Sequence, residues 1–153
     1  IFRGARFHGA GGAFGVGSDS NLRIGLAEEL RQLEHSQRLR DGARAVLATP
    51  GRSCGRVLFE AACAGGARAL GRASGAIEAG RLADLVALDA DGLALAARSG
   101  NALLDGWIFA GDDRVVESVW SAGRRVVSEG RHLAREVTDR RFRAVLARLA
   151  GAV

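Results

Sequence analysis

Between Phe14 and Asn21 the chain changes character within one short run, from Phe14-Gly15-Val16-Gly17 to Ser18-Asp19-Ser20-Asn21. Ala13, Phe14 and Val16 make a small-residue strand over 13–17, and the polar side chains follow it without a spacer. Such a run fits a buried strand that delivers one carboxylate, Asp19, to the mouth of a cavity. In (β/α)8 barrels the catalytic groups sit at the C-terminal strand ends. A carboxylate placed there can ligate a metal or accept a proton from water. The same residue types also favour turns and helix N-caps. On this run alone both readings stand, and turn-and-cap is the simpler one.

With 153 residues the chain can enclose one core. It starts at Ile1 and contains no methionine, as expected of the C-terminal part of something larger. No apolar run approaches the roughly 18 residues that span a bilayer, and no secretory pattern opens it, so a cytoplasmic protein without membrane contact is expected. The net charge of +5 is carried by arginine alone. The absence of lysine excludes a P-loop lysine or a Schiff-base lysine within this segment. The arginines are scattered, usually near an Asp or Glu, and aromatic residues make up only 5%. Nucleic-acid binders concentrate basic residues and add stacking aromatics, so a solvated surface and no nucleic-acid partner are expected. Cys54 and Cys63 lack CxxC spacing and a nearby histidine, and read as buried, reduced thiols.

Residues 1–12 read as a helix end running into a glycine turn. Gly9, Gly11 and Gly12 do not form a dinucleotide fingerprint, because Phe14 stands where the third glycine belongs and the glycines precede the strand. His8 is a helix-end residue. Leu22, Leu26, Leu30, Leu33 and Gln37 then recur at helical steps, predicting a helix over 26–48 that Gly42 loosens and Thr49-Pro50-Gly51 stops. Glu28 and Glu29 near its start and Arg38 and Arg40 near its end suit the helix dipole. His35 lies off the stripe and faces solvent. Ser53 caps a second helix over 53–71, closed by Gly71. Its small face (Ala61, Ala62, Gly65, Ala69) invites close approach by another element. Beyond Ala73, strands are expected at Leu85–Asp89 and Trp107–Phe109, with a hairpin over 115–127 turning at Ser121–Arg124. These short strands need partners from elsewhere. Val119 and Trp120 point to opposite faces, and one of them is expected in the core. A helix from about Thr138 to Leu149 presents Phe142, Val145, Leu146 and Leu149 on one side.

Three separated motifs resemble the C-terminal third of the metal-dependent amidohydrolase superfamily. Gly17-Ser18-Asp19 is similar to the end of its eighth barrel strand. The stretch from Gly75-Ala76-Ile77-Glu78-Ala79-Gly80-Arg81-Leu82-Ala83-Asp84 to Asp89 is similar to its return into a small β-sandwich. Val116-Glu117-Ser118-Val119-Trp120 through Gly123-Arg124 and Gly130-Arg131-His132 is similar to its closing hairpin. The resemblance implies an α/β fold. Residues 1–72 would be the last strand and following helices of a (β/α)8 TIM-like barrel, 73–132 part of a composite β-sandwich, and 133–153 a C-terminal helix.

Within the superfamily, residues 17–21, 28–34 and 36–39 are most similar to the formimidoylglutamate deiminases of histidine degradation. That resemblance implies hydrolysis of N-formimidoyl-L-glutamate to N-formyl-L-glutamate and ammonia on one Zn2+. Asp19 would be both metal ligand and catalytic proton acceptor. The family's other ligands, histidines of earlier strands, have no counterpart here, and His8, His35 and His132 do not match those motifs. No substrate-binding residue is assigned, because the arginines that grip the substrate are expected upstream. The segment alone is expected to be inactive. Its expected partners are a small-molecule substrate and the N-terminal barrel portion of the same protein, with a homodimer left open. Another superfamily deaminase or chlorohydrolase, acting on guanine, a triazine or a related substrate, would share Asp19. A non-catalytic α/β interaction module would need no carboxylate at a strand end.

Overall fold

The computed structural model describes residues 1–151. Helices α1 (Gly4–Gly9), α2 (Leu26–Asp41) and α3 (Cys54–Ala69) come first, followed by strand β1 (Leu85–Leu88). Helix α4 (Asn101–Asp105) continues as a π-helical turn over Gly106–Ala110, and a 3-10 turn spans Asp113–Val115. Strands β2 (Val116–Ser121), β3 (Arg124–Ser128) and β4 (Arg131–His132) and helix α5 (Arg135–Ala150) close the chain.

The first helix ends in the expected glycine turn, with Gly11 at φ +81°. Gln37, fully buried on α2, pins this entry: its Oε1 accepts from Gly4 N at 2.8 Å and its Nε2 donates to Phe2 O at 2.9 Å. Residues 13–17 do not form the expected strand. A strand is defined by its hydrogen-bonded ladder, and no described residue pairs with this segment. It nevertheless keeps a period of two: Phe14 and Val16 are half-buried, while Ala13, Gly15 and Gly17 are exposed. Its backbone lies directly on α3. A Cβ on Gly65 would collide with the Phe14 backbone, and one on Gly15 would sit 3.1 Å from Gly66 Cα. The small face of α3 therefore serves close approach, as its composition suggested.

Helix α2 stops at Asp41 instead of running to 48. Gly42 takes the left-handed conformation (φ +60°) and its N–H returns to Arg38 O, a glycine C-cap. The chain then doubles back onto α2. Val46 N and Leu47 N each donate to the Glu34 carboxylate at 3.0 Å, and Arg38 Nε donates to it at 2.8 Å. Helix α3 follows expectation, with Ser53 Oγ accepting from Arg56 N at 3.3 Å and Gly71 at φ +62°.

Trp107–Phe109 is helical, not a strand. Leu104, Trp107 and Ile108 are all buried at i, i+3 and i+4, one face of a helix, whereas a strand would turn adjacent residues to opposite sides. The N–H of Gly111 closes the π-turn on Gly106 O at 2.7 Å. Leu30, Leu47, Leu58, Ala62 and Ile108 form one core, joined by Phe14 and Val16. Ala27, Leu95, Leu104, Trp107 and Val115 form a second, joined by Leu88 and Val116 from the sheet. Phe59 touches both.

The strands form one antiparallel sheet in the order β1-β2-β3-β4. Leu85 pairs with Trp120, and Val119 with Val127. Ala122-Gly123 (φ +49° and +80°) turns β2 into β3, and Glu129-Gly130 (φ +51° and +68°) turns β3 into β4. Paired positive φ values match the twist of a two-residue hairpin. A second sheet to complete a sandwich is not among the described residues. Ser118 is the buried residue of β2, and Val119 and Trp120 are both only half-buried, so neither is the core residue expected. The β-bulge between them breaks the simple alternation on which that expectation rested. Helix α5 begins a few residues before the expected start and buries no side chain. No described helix is long and apolar enough to cross a membrane.

Candidate functional site

Asp19 sits where the extended segment ends, in a turn closed by Asn21 N donating to Ser18 O at 2.8 Å. Its backbone is left-handed, φ +45°, a region that Asp and Asn tolerate better than most residues. None of the polar residues from Ser18 to Asn21 caps the next helix. The N-cap of α2 is Gly25, in extended conformation and without a side-chain cap. The turn is thus observed and the cap is not. Asn21 instead reaches along the helix, its Nδ2 donating to Glu29 Oε1 at 2.8 Å. Arg23, the nearest cation in sequence, is paired with Glu28 at 3.2 Å.

The Asp19 carboxylate is exposed and makes no hydrogen bond or ion pair with any described residue. Positions 13, 15, 17 and 19 are all exposed. A carboxylate with both oxygens free suits one position of a metal's ligand set. The described residues hold no group of three or more His, Cys, Asp or Glu that could bind a metal. Any further ligands must come from outside them. The histidines lie elsewhere. His8 stands edge-on to Phe14 at 5.9 Å with its Nδ1 unpartnered and shut from solvent. His35 is exposed, as expected, and stacks on Phe109 at 6.1 Å. His132 Nδ1 accepts from Ala134 N at 3.0 Å. Cys54 is buried and Cys63 half-buried; both are free, and burial pushes both thiols above their ordinary pKa.

The polar residues that hold the surrounding elements together were less visible. Glu34 and Gln37 are polar side chains at the buried face of α2, and that misfit within an apolar stripe was their only sequence signal. Arg31 holds the π-turn region onto the same helix, with Nε donating to Ile108 O at 2.7 Å and Nη2 to Gly111 O at 2.6 Å. Asp105 Oδ1 accepts from Gly55 N at 2.8 Å, at the first turn of α3. A cleft of about 590 Å³ opens between the start of α2 and the 112–114 turn, and Asp19 does not line it. Its charges are largely paired among themselves. Arg114 bonds Asp112 at 2.8 Å, and that bond holds the Asp112 carboxyl below the usual carboxylate range.

Known proteins bear directly on this arrangement. A model of the amidohydrolase family matches residues 4–126. The formimidoylglutamate deiminase of Pseudomonas aeruginosa is 47% identical over 150 residues, covering 97% of this chain and 33% of that protein. The crystal structure of an amidohydrolase from Brucella melitensis superposes with a TM-score of 0.88 at 44% identity, over 98% of this chain and 33% of that one. An adenosine deaminase from Xanthomonas campestris, solved with bound zinc, gives a TM-score of 0.74 at 25% identity, over 94% and 33% of the two chains. This chain spans about a third of the length of these relatives. With the family's model running from α1 into β3, and with relatives aligned along nearly the whole sequence, the chain belongs to the amidohydrolase family.

Proposed function

We propose that these residues form the C-terminal third of a zinc-dependent formimidoylglutamate deiminase, which hydrolyses N-formimidoyl-L-glutamate to N-formyl-L-glutamate and ammonia. The observation that carries this reading is the 47% identity, across 97% of the chain, to the Pseudomonas aeruginosa protein of that name. The adenosine deaminase stands at 25%, a weaker claim for a purine substrate. On this reading residues 1–72 complete a (β/α)8 barrel with 13–17 as its last strand. Residues 73–132 belong to a composite β-sandwich. The terminal helix expected over 133–153 is Arg135–Ala150, and residues 152–153 lie outside the described residues. The substrate is a small molecule, and two free thiols suit a reducing, cytoplasmic setting.

Zinc, when bound, makes water a competent nucleophile at neutral pH. Asp19 would hold the metal through one carboxylate oxygen. Its other oxygen would take the proton that the attacking water loses and return it to the amidine nitrogen that departs as ammonia. A free carboxylate at the tip of a tight turn supports both roles. Removing a general base costs roughly 10²–10⁴-fold.

The test uses the complete enzyme loaded with zinc. Ammonia release is measured from N-formimidoyl-L-glutamate, adenosine, guanine and an aminotriazine. Turnover of the first alone is expected, and Asp19→Asn should lower it by at least about 10²-fold. Deamination of a purine or triazine with none of formimidoylglutamate overturns the substrate. Near-normal turnover by Asp19→Asn overturns the role of Asp19.

A further inference from the structure

The turn that carries Asp19 has few supports of its own. Its left-handed residue, φ +45°, is in a conformation that even Asp, which tolerates it better than most residues, adopts at some cost. Neighbouring groups that hold it therefore matter. Within the turn there is one backbone bond, from Asn21 N to Ser18 O. Beyond it the chain runs uncovered to α2, with Leu22 101% and Ile24 83% exposed. Packing among the described residues therefore does not fix the turn from that side. Among the described residues, the side-chain bond that ties this turn to a regular element is Asn21 Nδ2 to Glu29 Oε1, 2.8 Å. Glu29 stands in the first turn of α2, beside the fully buried Leu30, so the acceptor is set on a fixed element. The bond is charge-assisted, the stronger kind.

We propose that Asn21 and Glu29 are positioning residues for the deiminase reaction: their bond holds the Asp19 turn, and with it the carboxylate, in register with α2. This rests on the reading of Asp19 as the metal-holding proton acceptor. Neither residue touches the reacting atoms. Their contribution is geometric, and outer partners that orient a ligating side chain commonly carry a tenfold to hundredfold share of metal affinity or activity.

In the complete enzyme, Asn21→Ala and Glu29→Ala should each lower kcat by about tenfold and weaken zinc in a chelator competition by a similar factor. KM should change by less than about twofold, because the substrate itself is not held here. The double variant should lose no more than either single one, as two halves of one bond do. Glu29→Gln keeps an oxygen acceptor at the same place and should recover most of the loss. Glu29→Ala and Glu29→Gln both lose a charge at the helix N-terminus and should melt slightly and equally below wild type. Asn21→Ala should melt as wild type, and Ser20→Ala should behave as wild type. Single variants with normal kcat and normal zinc affinity overturn the tether, as do losses that multiply in the double variant or track melting temperature across the variants. Asp19→Asn, assayed beside them, separates the two levels. If it is inactive while the alanine variants are normal, only the tether falls. If it is active, the role of Asp19 falls and the tether with it.

Discussion

Helices α3 and α5 are both 16 residues long, and their surroundings are opposite. Helix α3 buries Cys54, Gly55, Val57, Leu58, Ala62, Gly65 and Ala67. Helix α5 buries nothing, and Val137, Phe142, Val145, Leu146 and Leu149 remain 42–61% exposed. Both sequences carry an apolar stripe at helical spacing. The stripe marks which face is available, and the size of its residues decides how close a neighbour can come. Glycine and alanine on α3 admit the backbone of Phe14 into contact. The bulky stripe of α5 meets no opposing element among the described residues. Helix α2 also carries buried polar anchors, Glu34 and Gln37, that α5 lacks.

The sharpest way to test that contrast is to remove an anchor. Glu34→Ala would leave Val46 N and the buried Leu47 N without their acceptor and Arg38 without its partner. Breaking such a buried arrangement costs about 3–5 kcal/mol. It should appear as a large fall in the unfolding midpoint. A change below about 1 kcal/mol would show that the 43–47 segment is held by something else. Gly65→Ala comes next. Its new methyl would strike the Phe14 backbone, which cannot swing aside as a side chain can. Overpacking of this kind costs about 1–3 kcal/mol. The strain should also move residues 13–17 and the attached Asp19, so activity per folded molecule should fall together with stability.

Legibility in the sequence divides along the same line. Features written by local chemistry were readable: the Ser53 cap and Gly71 stop of α3, the hairpin at Ala122-Gly123, and the carboxylate of Asp19 behind a small-residue segment. What depends on distant partners was not. Residues 13–17 have the composition and alternation of a strand, but a ladder needs neighbours that no described residue supplies. Trp107-Ile108-Phe109 is too short a run to display a period; its helical nature shows only when Leu104 is counted with it. Glu34 and Gln37 are polar, and burial follows from donors such as Leu47 N and Gly4 N that only the fold brings to them. Asn21 belongs to residue types that favour caps, yet its side chain bonds to the helix surface at Glu29.

A smaller effect tests the sheet side of the comparison. Asp84 accepts from Ala122 N at 2.8 Å and from Arg72 Nη2 at 3.0 Å. These donors, the Ala122 N–H first, hold its carboxyl below the ordinary range. A depressed pKa means that the unfolded chain binds the proton more readily, so this stabilisation is complete above the ordinary value of about 3.9 and lost as pH falls through the lower folded value. Asp84→Asn should therefore melt below wild type at neutral pH, and the gap should close in acid. A gap that widens in acid would reverse the sign and remove the bond from the account.

The smallest effects belong to α5. No described residue buries its stripe, so truncating Phe142 or Leu146 removes little that these residues withdraw from water. Substitutions at such positions usually fall within about ±0.5 kcal/mol. The helix's own ion pair, Arg135 to Asp139 at 2.8 Å, is exposed on both sides. An exposed i,i+4 pair of that kind contributes little to stability, and less in salt. Phe142→Ala, Leu146→Ala and Asp139→Ala should each leave the unfolding midpoint nearly where it was, well inside the shift of Gly65→Ala measured beside them. If Phe142→Ala or Leu146→Ala cost as much as Gly65→Ala, the stripe would be packed against something. The two helices would then differ in where their partners come from, and no longer in whether they have one.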